Sequence, residues 1–277
     1  MTAVEAYAKL NLSLAVLGRR SDGFHEIDSL VQTIDLCDRI SIDLTDGGLV
    51  VENDLAGLAG RDLARVAAEA ILARKRSNVG VAIHVEKGIP AGAGLGGGSS
   101  DAAAVLAILD RLVEPGLPSN DVARIAAEIG SDVPLFLRGG LLRVAGRGER
   151  VEREDASTSE RFLVAVPPIH CDTATVYAQY DETADDAGVR GLRGENALLG
   201  AALMAYPELG PYHEAVLALG GEYAGMSGSG SSFYAAFKDV RATSSARERL
   251  TEALPDAKVF QCRATDAGHR VVEGRLP

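Results

Sequence analysis

No run of about 18 apolar residues occurs in this 277-residue sequence, so the stretch that a membrane-spanning helix needs is missing. The first residues, Met1-Thr-Ala-Val-Glu5, carry neither the basic segment nor the apolar core of a secretory signal. Cysteine is scarce. Cys37, Cys171 and Cys262 stand far apart, with no CxxC pair and no ligand-like spacing to the five histidines. That pattern excludes a disulfide framework and a zinc knuckle, and it predicts reduced, buried thiols in a cytoplasmic protein. Positive charge is also in deficit. A formal net charge of −11 argues against nucleic acid as a general partner. It leaves room for a nucleotide held by backbone amides and one or two lysines. No period of 20–50 residues appears, which excludes a solenoid. No acidic cluster identifies a carboxylate metal site, and nothing in the chain implies a protein partner.

Glycine is not in deficit, and its placement is the most informative feature present. Pro90-Ala-Gly-Ala-Gly-Leu-Gly-Gly-Gly-Ser-Ser100 follows a strand-like run, Val81–Val85, and precedes an apolar run of helical length, Asp101–Leu109. A turn between a strand and a helix N-terminus presents free N–H groups and the positive end of the helix dipole to an anion. Five glycines between positions 92 and 98 let the backbone approach a bulky ligand and adopt positive φ. Ser99 and Ser100 place two hydroxyls at the helix start, where they cap it or touch a phosphate or its metal ion. The ligand this predicts is a nucleotide polyphosphate.

Neither standard phosphate motif fits. Gly92-x-Gly94-x-x-Gly97 formally matches the dinucleotide fingerprint, but Asp110 and Glu114 come too early to be its ribose-binding acid, and the segment lies a third of the way into the chain. A Walker A loop is absent because no Gly-Lys-Ser/Thr follows the glycines. A plain glycine turn with a serine cap is the bland alternative.

The rest of the chain alternates strand and helix signals. Ile40–Leu44 reads as a strand, Gly47-Gly48 as a turn, and Leu49–Val51 as a return strand completing a hairpin. Arg61–Arg74 has the i, i+3, i+4 apolar spacing of an amphipathic helix, and Pro118-Ser119 opens another that ends at Gly130. The charged stretch Gly146–Glu160 marks a lobe boundary, predicting lobes over 1–148 and 158–277. Beyond it come a strand at Phe162–Val166, an acidic loop near Asp181–Asp186 read as a solvated turn, and helices near Glu195–Ala205 and Pro211–Leu219. A strand at Phe233–Phe237, a helix at Val240–Leu254 and a strand at Lys258–Cys262 follow.

Three further segments carry candidate chemistry. Ala6-Tyr-Ala-Lys-Leu-Asn-Leu12 sets Lys9 and Asn11 on one face of a strand-like stretch whose other face is apolar. The bland reading of such a lysine is a snorkelling surface group. Gly130-Ser-Asp-Val-Pro134 places Asp132 at a helix start, where the bland reading is an N-cap worth about 1 kcal/mol. Gly225–Ser232 is a second glycine–serine turn.

Taken in order, Lys9, Pro90–Ser100, Asp132 and Gly225–Ser231 resemble the pattern of the GHMP kinase superfamily. The likeness runs through Arg20-Ser-Asp-Gly-Phe-His25 and Gly146-Arg-Gly-Glu149 and covers essentially the whole chain. The Asp-Gly-Phe-His segment points to the branch that phosphorylates the 2-hydroxyl of the methylerythritol unit of a CDP-linked polyol, on the non-mevalonate route to isoprenoid precursors. The resemblance implies a two-lobed α/β (α+β) fold with the active site in the cleft between lobes. It implies ATP as co-substrate, with Mg2+ expected. Pro90, Ala91, Gly92, Ala93, Gly94, Leu95, Gly96, Gly97, Gly98, Ser99 and Ser100 would hold the triphosphate, with Lys87 near the nucleotide. Lys9 and Asp132 would be the catalytic pair. Asn11, Phe24, His25 and Tyr177 would bind the acceptor, His25 hydrogen-bonding the cytosine and the rings of Phe24 and Tyr177 sandwiching it. Two alternatives stay open: a sibling kinase for homoserine or a mevalonate derivative, and a non-catalytic nucleotide- or sugar-binding regulator on the same fold.

Overall fold

The computed structural model describes residues 1–54, 62–154, 159–183 and 191–274. The chain opens with two long strands, β1 (Thr2–Arg19) and β2 (His25–Thr45), paired antiparallel over nearly their whole length. Next come β3 (Leu49–Asn53), α1 (Leu63–Lys75) and β4 (Gly80–Glu86). The glycine stretch leads into α2 (Gly97–Leu112), then α3 (Ser119–Ile129), α4 (Val133–Arg138), β5 (Leu141–Gly146) and β6 (Arg150–Arg153). Together with the last strand, β11 (His269–Glu273), these form a seven-stranded sheet covered by helices.

β2 is long enough to serve two neighbours. Its first part, Ile27–Gln32, pairs with β5, and its last part, Arg39–Thr45, pairs with β4. β3 therefore has no free edge of β2 to take. It pairs parallel with β4 instead, with α1 as the crossover, so the hairpin expected at Gly47-Gly48 is corrected to a βαβ unit. Asp62 caps α1, accepting from the N–H groups of Ala64 at 3.0 Å and Arg65 at 3.3 Å. The expected start of that helix, Arg61, lies outside the described residues. α2 is apolar nearly all round because it lies between sheet and helices: Ala102 through Leu106, Ile108 and Leu109 are all buried.

A second sheet has the order β10-β7-β9-β8, built from β7 (Arg161–Val166), β8 (Tyr223–Met226), β9 (Phe233–Phe237) and β10 (Lys258–Arg263). The helices packed with it are α5 (Thr173–Thr183), α6 (Leu199–Ala205), α7 (Gly210–Leu217) and α8 (Val240–Ala253). α5 was not expected. Asp181 belongs to it rather than to a solvated turn, while 184–186 of the expected acidic loop lie outside the described residues. The lobe boundary at 148 and 158 is also corrected in part. β6 reaches Arg153 within the first sheet, and β11 crosses back to pair with β1. Position 158 lies outside the described residues.

A third apolar cluster joins the sheets. Ala8, Leu10, Leu12 and Ile34 of the first meet Phe162, Val164, Tyr234 and Cys262 of the second, and Ile89, Ala93 and Leu95 complete the cluster.

Candidate active site

The alternation in Gly92-Ala-Gly-Leu-Gly96 has a direct structural meaning. Ala93 and Leu95 are anchored in the inter-sheet core, at 3% and 1% exposure. Gly92, Gly94 and Gly96 supply the positive φ of +66°, +74° and +74° that lets the chain reverse between anchors. A Cβ on Gly94 would lie 2.8 Å from the Gly230 carbonyl oxygen and closer still to that of Ser227. Gly97 and Gly98 are already helical and need no positive φ, contrary to expectation. Gly97 has little room instead, with Ile89 Cγ2 3.1 Å from where its Cβ would be.

The loop lines a cavity of 340 Å³ together with Asn53, Asp62, Leu63, Lys87 and Asp101. The N–H groups of the first turn of α2 have no intrahelical acceptor and carry the positive end of its dipole. Ser99 lines this cavity. Ser100 does not. Its N–H donates to Gly96 O at 2.9 Å and its hydroxyl to Tyr7 O at 2.7 Å, with the residue fully buried. Ser100 locks the helix start to β1, which corrects the expectation of a phosphate contact there.

Lys87 sits at the end of the same cavity as a shared donor. Its Nζ bonds Asp38 Oδ2, and Asp101 Oδ2 at 2.7 Å. Asp38 is fully buried and also accepts from the N–H groups of Gly88 and Ile89, each at 2.8 Å. Two buried carboxylates on one ammonium leave excess negative charge. Burial and the neighbouring Asp38 accordingly push Asp101 well above the usual carboxylate range.

Across the loop lies a cavity of 740 Å³, with Gly94 and Gly96 lining both. Lys9 enters it from β1. Irregularities in β1 after Tyr7 and Asn11 bracket the segment carrying it, and Lys9 N–H donates to Leu95 O at 3.0 Å. Its ammonium donates to Asn11 Oδ1 at 2.5 Å and lies 3.9 Å from Asp132 Oδ2. Burial lowers the Lys9 pKa, and Asp132 partly offsets this. Lys9 is thus a buried ammonium facing a cavity and does not snorkel. Asn11 is occupied at both ends of its amide, since Nδ2 donates to Ser29 Oγ at 2.8 Å. Asn11 thus supports Lys9 and lines the same cavity.

Asp132 occupies the N-cap position of α4, yet its side chain makes no capping hydrogen bond. The bland N-cap reading therefore fails. The carboxylate is half-buried and turned toward Lys9 and the larger cavity. Ser131 beside it packs on Gly148, whose Cβ would lie 3.1 Å from Ser131 Cβ.

The far end of this cavity is aromatic. Phe24 is 48% exposed, with the Arg147 guanidinium 5.2 Å from its ring centroid. His25 stacks on Tyr177 of α5 at 4.7 Å between centroids and 24° between planes. His25 Nε2 hydrogen-bonds Asp181 Oδ1 at 2.6 Å, and Arg19 Nη1 lies 3.5 Å from the other oxygen. Phe24, His25 and Tyr177 are therefore brought together, but not as an empty two-ring slot. One face of Tyr177 is taken by His25 and one face of Phe24 by Arg147. Burial pushes the Tyr177 hydroxyl up to about 12, with Asp132 adding to the shift, so it stays protonated at neutral pH.

Several contributors escaped the sequence. Arg147 sits in the quoted Gly146-Arg-Gly-Glu149 run but had no role, and Arg19 and Asp181 had none either. The Gly225–Ser232 turn holds the loop from behind: Ser227 Oγ donates to Gly94 O at 2.9 Å and accepts from Asn11 N–H at 3.2 Å. Asn196 fixes that turn through Nδ2, which donates to Met226 O and Gly228 O, each at 2.8 Å.

Comparison with known proteins accords with this geometry. Residues 62–140 match the GHMP kinases N terminal domain, and residues 185–256 match GHMP kinases C terminal. A 4-diphosphocytidyl-2-C-methyl-D-erythritol kinase of Thiobacillus denitrificans is 38% identical over 273 residues, 95% of each chain. One from Symbiobacterium thermophilum is 37% identical, over 93% of this chain and 98% of the other. A crystal structure of 4-(cytidine 5'-diphospho)-2C-methyl-D-erythritol kinase superposes with TM-score 0.79 at 32% identity, covering 95% of this chain and 98% of that one. Homoserine kinase from Cytophaga hutchinsonii shares the fold, with TM-score 0.77 at 16% identity over 98% of this chain and 97% of that one. Matched by the models of both GHMP kinase domains and by named kinases 37–38% identical over more than nine-tenths of its length, the chain belongs to the GHMP kinase family as an ATP-dependent small-molecule kinase.

Proposed function

We propose that this chain transfers the γ-phosphoryl group of ATP to the 2-hydroxyl of 4-diphosphocytidyl-2-C-methyl-D-erythritol. The observation that carries this reading is the 740 Å³ cavity itself. It has a lysine–carboxylate pair at one end and Phe24, His25, Tyr177 and Arg147 at the other. A homoserine or mevalonate acceptor has no base to use such an end. Relatives named for this activity, at 37–38% identity over nearly the full chain, support the same choice.

Phosphoryl transfer depends mainly on positioning and charge stabilisation. ATP lies with its phosphates against the amides of Gly92–Ser99, which act as a preformed anion cradle. Asp132 faces the other cavity, orients the acceptor hydroxyl and takes its proton as the oxygen–phosphorus bond forms. A carboxylate is a weak base for an alcohol, so that proton moves late. Lys9 holds Asp132 and offsets the negative charge gathering at the γ-phosphate.

A magnesium ion, when bound, offsets charge on the phosphate oxygens. The residues present fit one held mainly by phosphate and water: Ser99 lines the phosphate cavity, and among the described residues no cluster of three acidic, histidine or cysteine ligands exists. Ser99 is the residue that would hold it. The unpaired Cys37, Cys171 and Cys262 support a place in the reducing cytoplasm.

The experiment is to incubate the protein with magnesium-ATP and either the CDP-linked polyol, homoserine or mevalonate, following phosphorus by NMR. The expected product is the 2-phosphate of the CDP-linked polyol. Turnover confined to homoserine or mevalonate would overturn the proposal.

A further inference from the structure

The histidine at the aromatic end of the larger cavity has a fixed partner from the other lobe. His25 lies at the start of β2, and Asp181 lies in the last turn of α5, 156 residues away. Their contact is 2.6 Å, from Asp181 Oδ1 to Nε2. A carboxylate can only accept, so the single proton of a neutral imidazole sits on Nε2. Tyr177 clamps the ring by stacking, and Tyr180 meets its edge at 6.4 Å and 89°. The exposed Arg19 guanidinium lies 3.5 Å from the second oxygen of Asp181. The ring nitrogen left for a ligand is Nδ1, and it is an acceptor.

We infer that Asp181 is a positioning residue that sets the His25 tautomer and thereby selects an amino-bearing pyrimidine over its oxo counterpart. The inference rests on the reading that a cytidine occupies this end of the cavity. Cytosine presents an exocyclic N–H donor at C4, which an acceptor Nδ1 satisfies. Uracil presents a carbonyl oxygen there, and two acceptors facing each other leave both unpaired. Arg147, the other cation at this end, lies over the ring of Phe24. Its charge does not distinguish the two bases by donor pattern at C4.

Two measurements test this. The first needs no substrate: 15N NMR of the imidazole nitrogens of the unliganded protein above the range where imidazole is charged, with the His25 signals assigned by their loss in His25→Gln. The account expects the proton on Nε2, and a proton on Nδ1 would overturn it. The second compares kcat/KM for the 4-diphosphocytidyl polyol and its 4-diphosphouridyl counterpart. The wild type should prefer cytidine by about 10- to 100-fold, the range that one mispaired buried polar group produces. Asp181→Ala should shrink that ratio, chiefly by raising KM for the cytidine substrate, with KM for ATP within about twofold of wild type. Asp181→Glu, which keeps an acceptor, should restore part of the preference. An unchanged ratio in Asp181→Ala overturns the inference while leaving the proposed function intact. A wild type that phosphorylates neither substrate removes both.

Discussion

Lys9 carries a charge into a place where burial makes that charge expensive, and its behaviour with pH follows. Its pKa is lowered below that of an ordinary lysine, and the protonated form is the one the proposed mechanism uses. As pH rises, the charge is lost earlier than free lysine would lose it. The expected result is an alkaline fall in kcat/KM, which reports the free enzyme, centred below pH ~10.4, the ordinary lysine value. Lys9→Arg should move that limb upward or out of range, and Lys9→Met should lower kcat at every pH. A pH–rate profile of the three proteins checks this. At the other end of the cavity, Phe24→Ala should raise KM for the acceptor by about one to two orders of magnitude, since base–aromatic stacking is worth ~1–3 kcal/mol, and leave KM for ATP unchanged. A core role would instead lower the melting temperature and affect both substrates alike, but the side chain is 48% exposed. At this scale, legibility divided by reach. Lys9 and Asp132 stood in recognisable local runs, and the absent capping bond at Asp132 then removed the bland alternative. The His25–Asp181 and Arg147–Phe24 contacts join distant segments, and no local pattern announces such pairs.

Elements were legible where their own periodicity or caps decided them. The helix after the glycines and the strand before them appeared as expected because both burial patterns are written in consecutive residues. β3 was mispaired because Gly47-Gly48 looks like a hairpin turn, whereas its pairing depends on β4 having already occupied β2. α5 was missed for another reason. Its run Thr173–Thr183 is rich in threonine and tyrosine and has only Val176 buried, so the apolar stripe that marks a helix is nearly absent. The glycine loop yields a sharp contrast between neighbours. Gly94→Ala places a Cβ at positive φ against two carbonyl oxygens of the Gly225–Ser232 turn, and should lower both the melting temperature and ATP affinity. Gly98→Ala meets nothing nearer than Leu63 Cδ1 at 3.7 Å and lies in a helix, where alanine is favoured by ~0.5–1 kcal/mol, so its melting temperature should hold or rise. Thermal melts and titration with an ATP analogue distinguish the two.

The whole molecule is less divided than its sequence suggested. The charged stretch near Gly146–Glu160 reads as a lobe boundary, but the chain ends by returning β11 to the first sheet, and a buried cluster spans both sheets. Leu10, Leu12, Phe162 and Tyr234 in that cluster are all fully buried, and each such apolar side chain is worth about 1.5–3 kcal/mol. Separating the lobes would expose several at once, so calorimetry should show one cooperative unfolding transition; two resolved transitions would mean independent lobes. The same arrangement sets the logic of the site. The glycine loop, anchored in the inter-sheet core through Ala93 and Leu95, borders both the 340 Å³ cavity proposed for the phosphates and the 740 Å³ cavity proposed for the acceptor, and of the two Asp132 lines only the larger. The most direct test is therefore Asp132→Asn, with ATP binding measured by calorimetry and turnover of the CDP-linked polyol measured alongside. The account predicts an ATP dissociation constant unchanged from wild type and a kcat reduced by about 10²–10⁴-fold, the usual contribution of a positioned base. A variant that kept more than about a tenth of wild-type kcat, well above that range, or one that lost ATP binding with its activity, would contradict it.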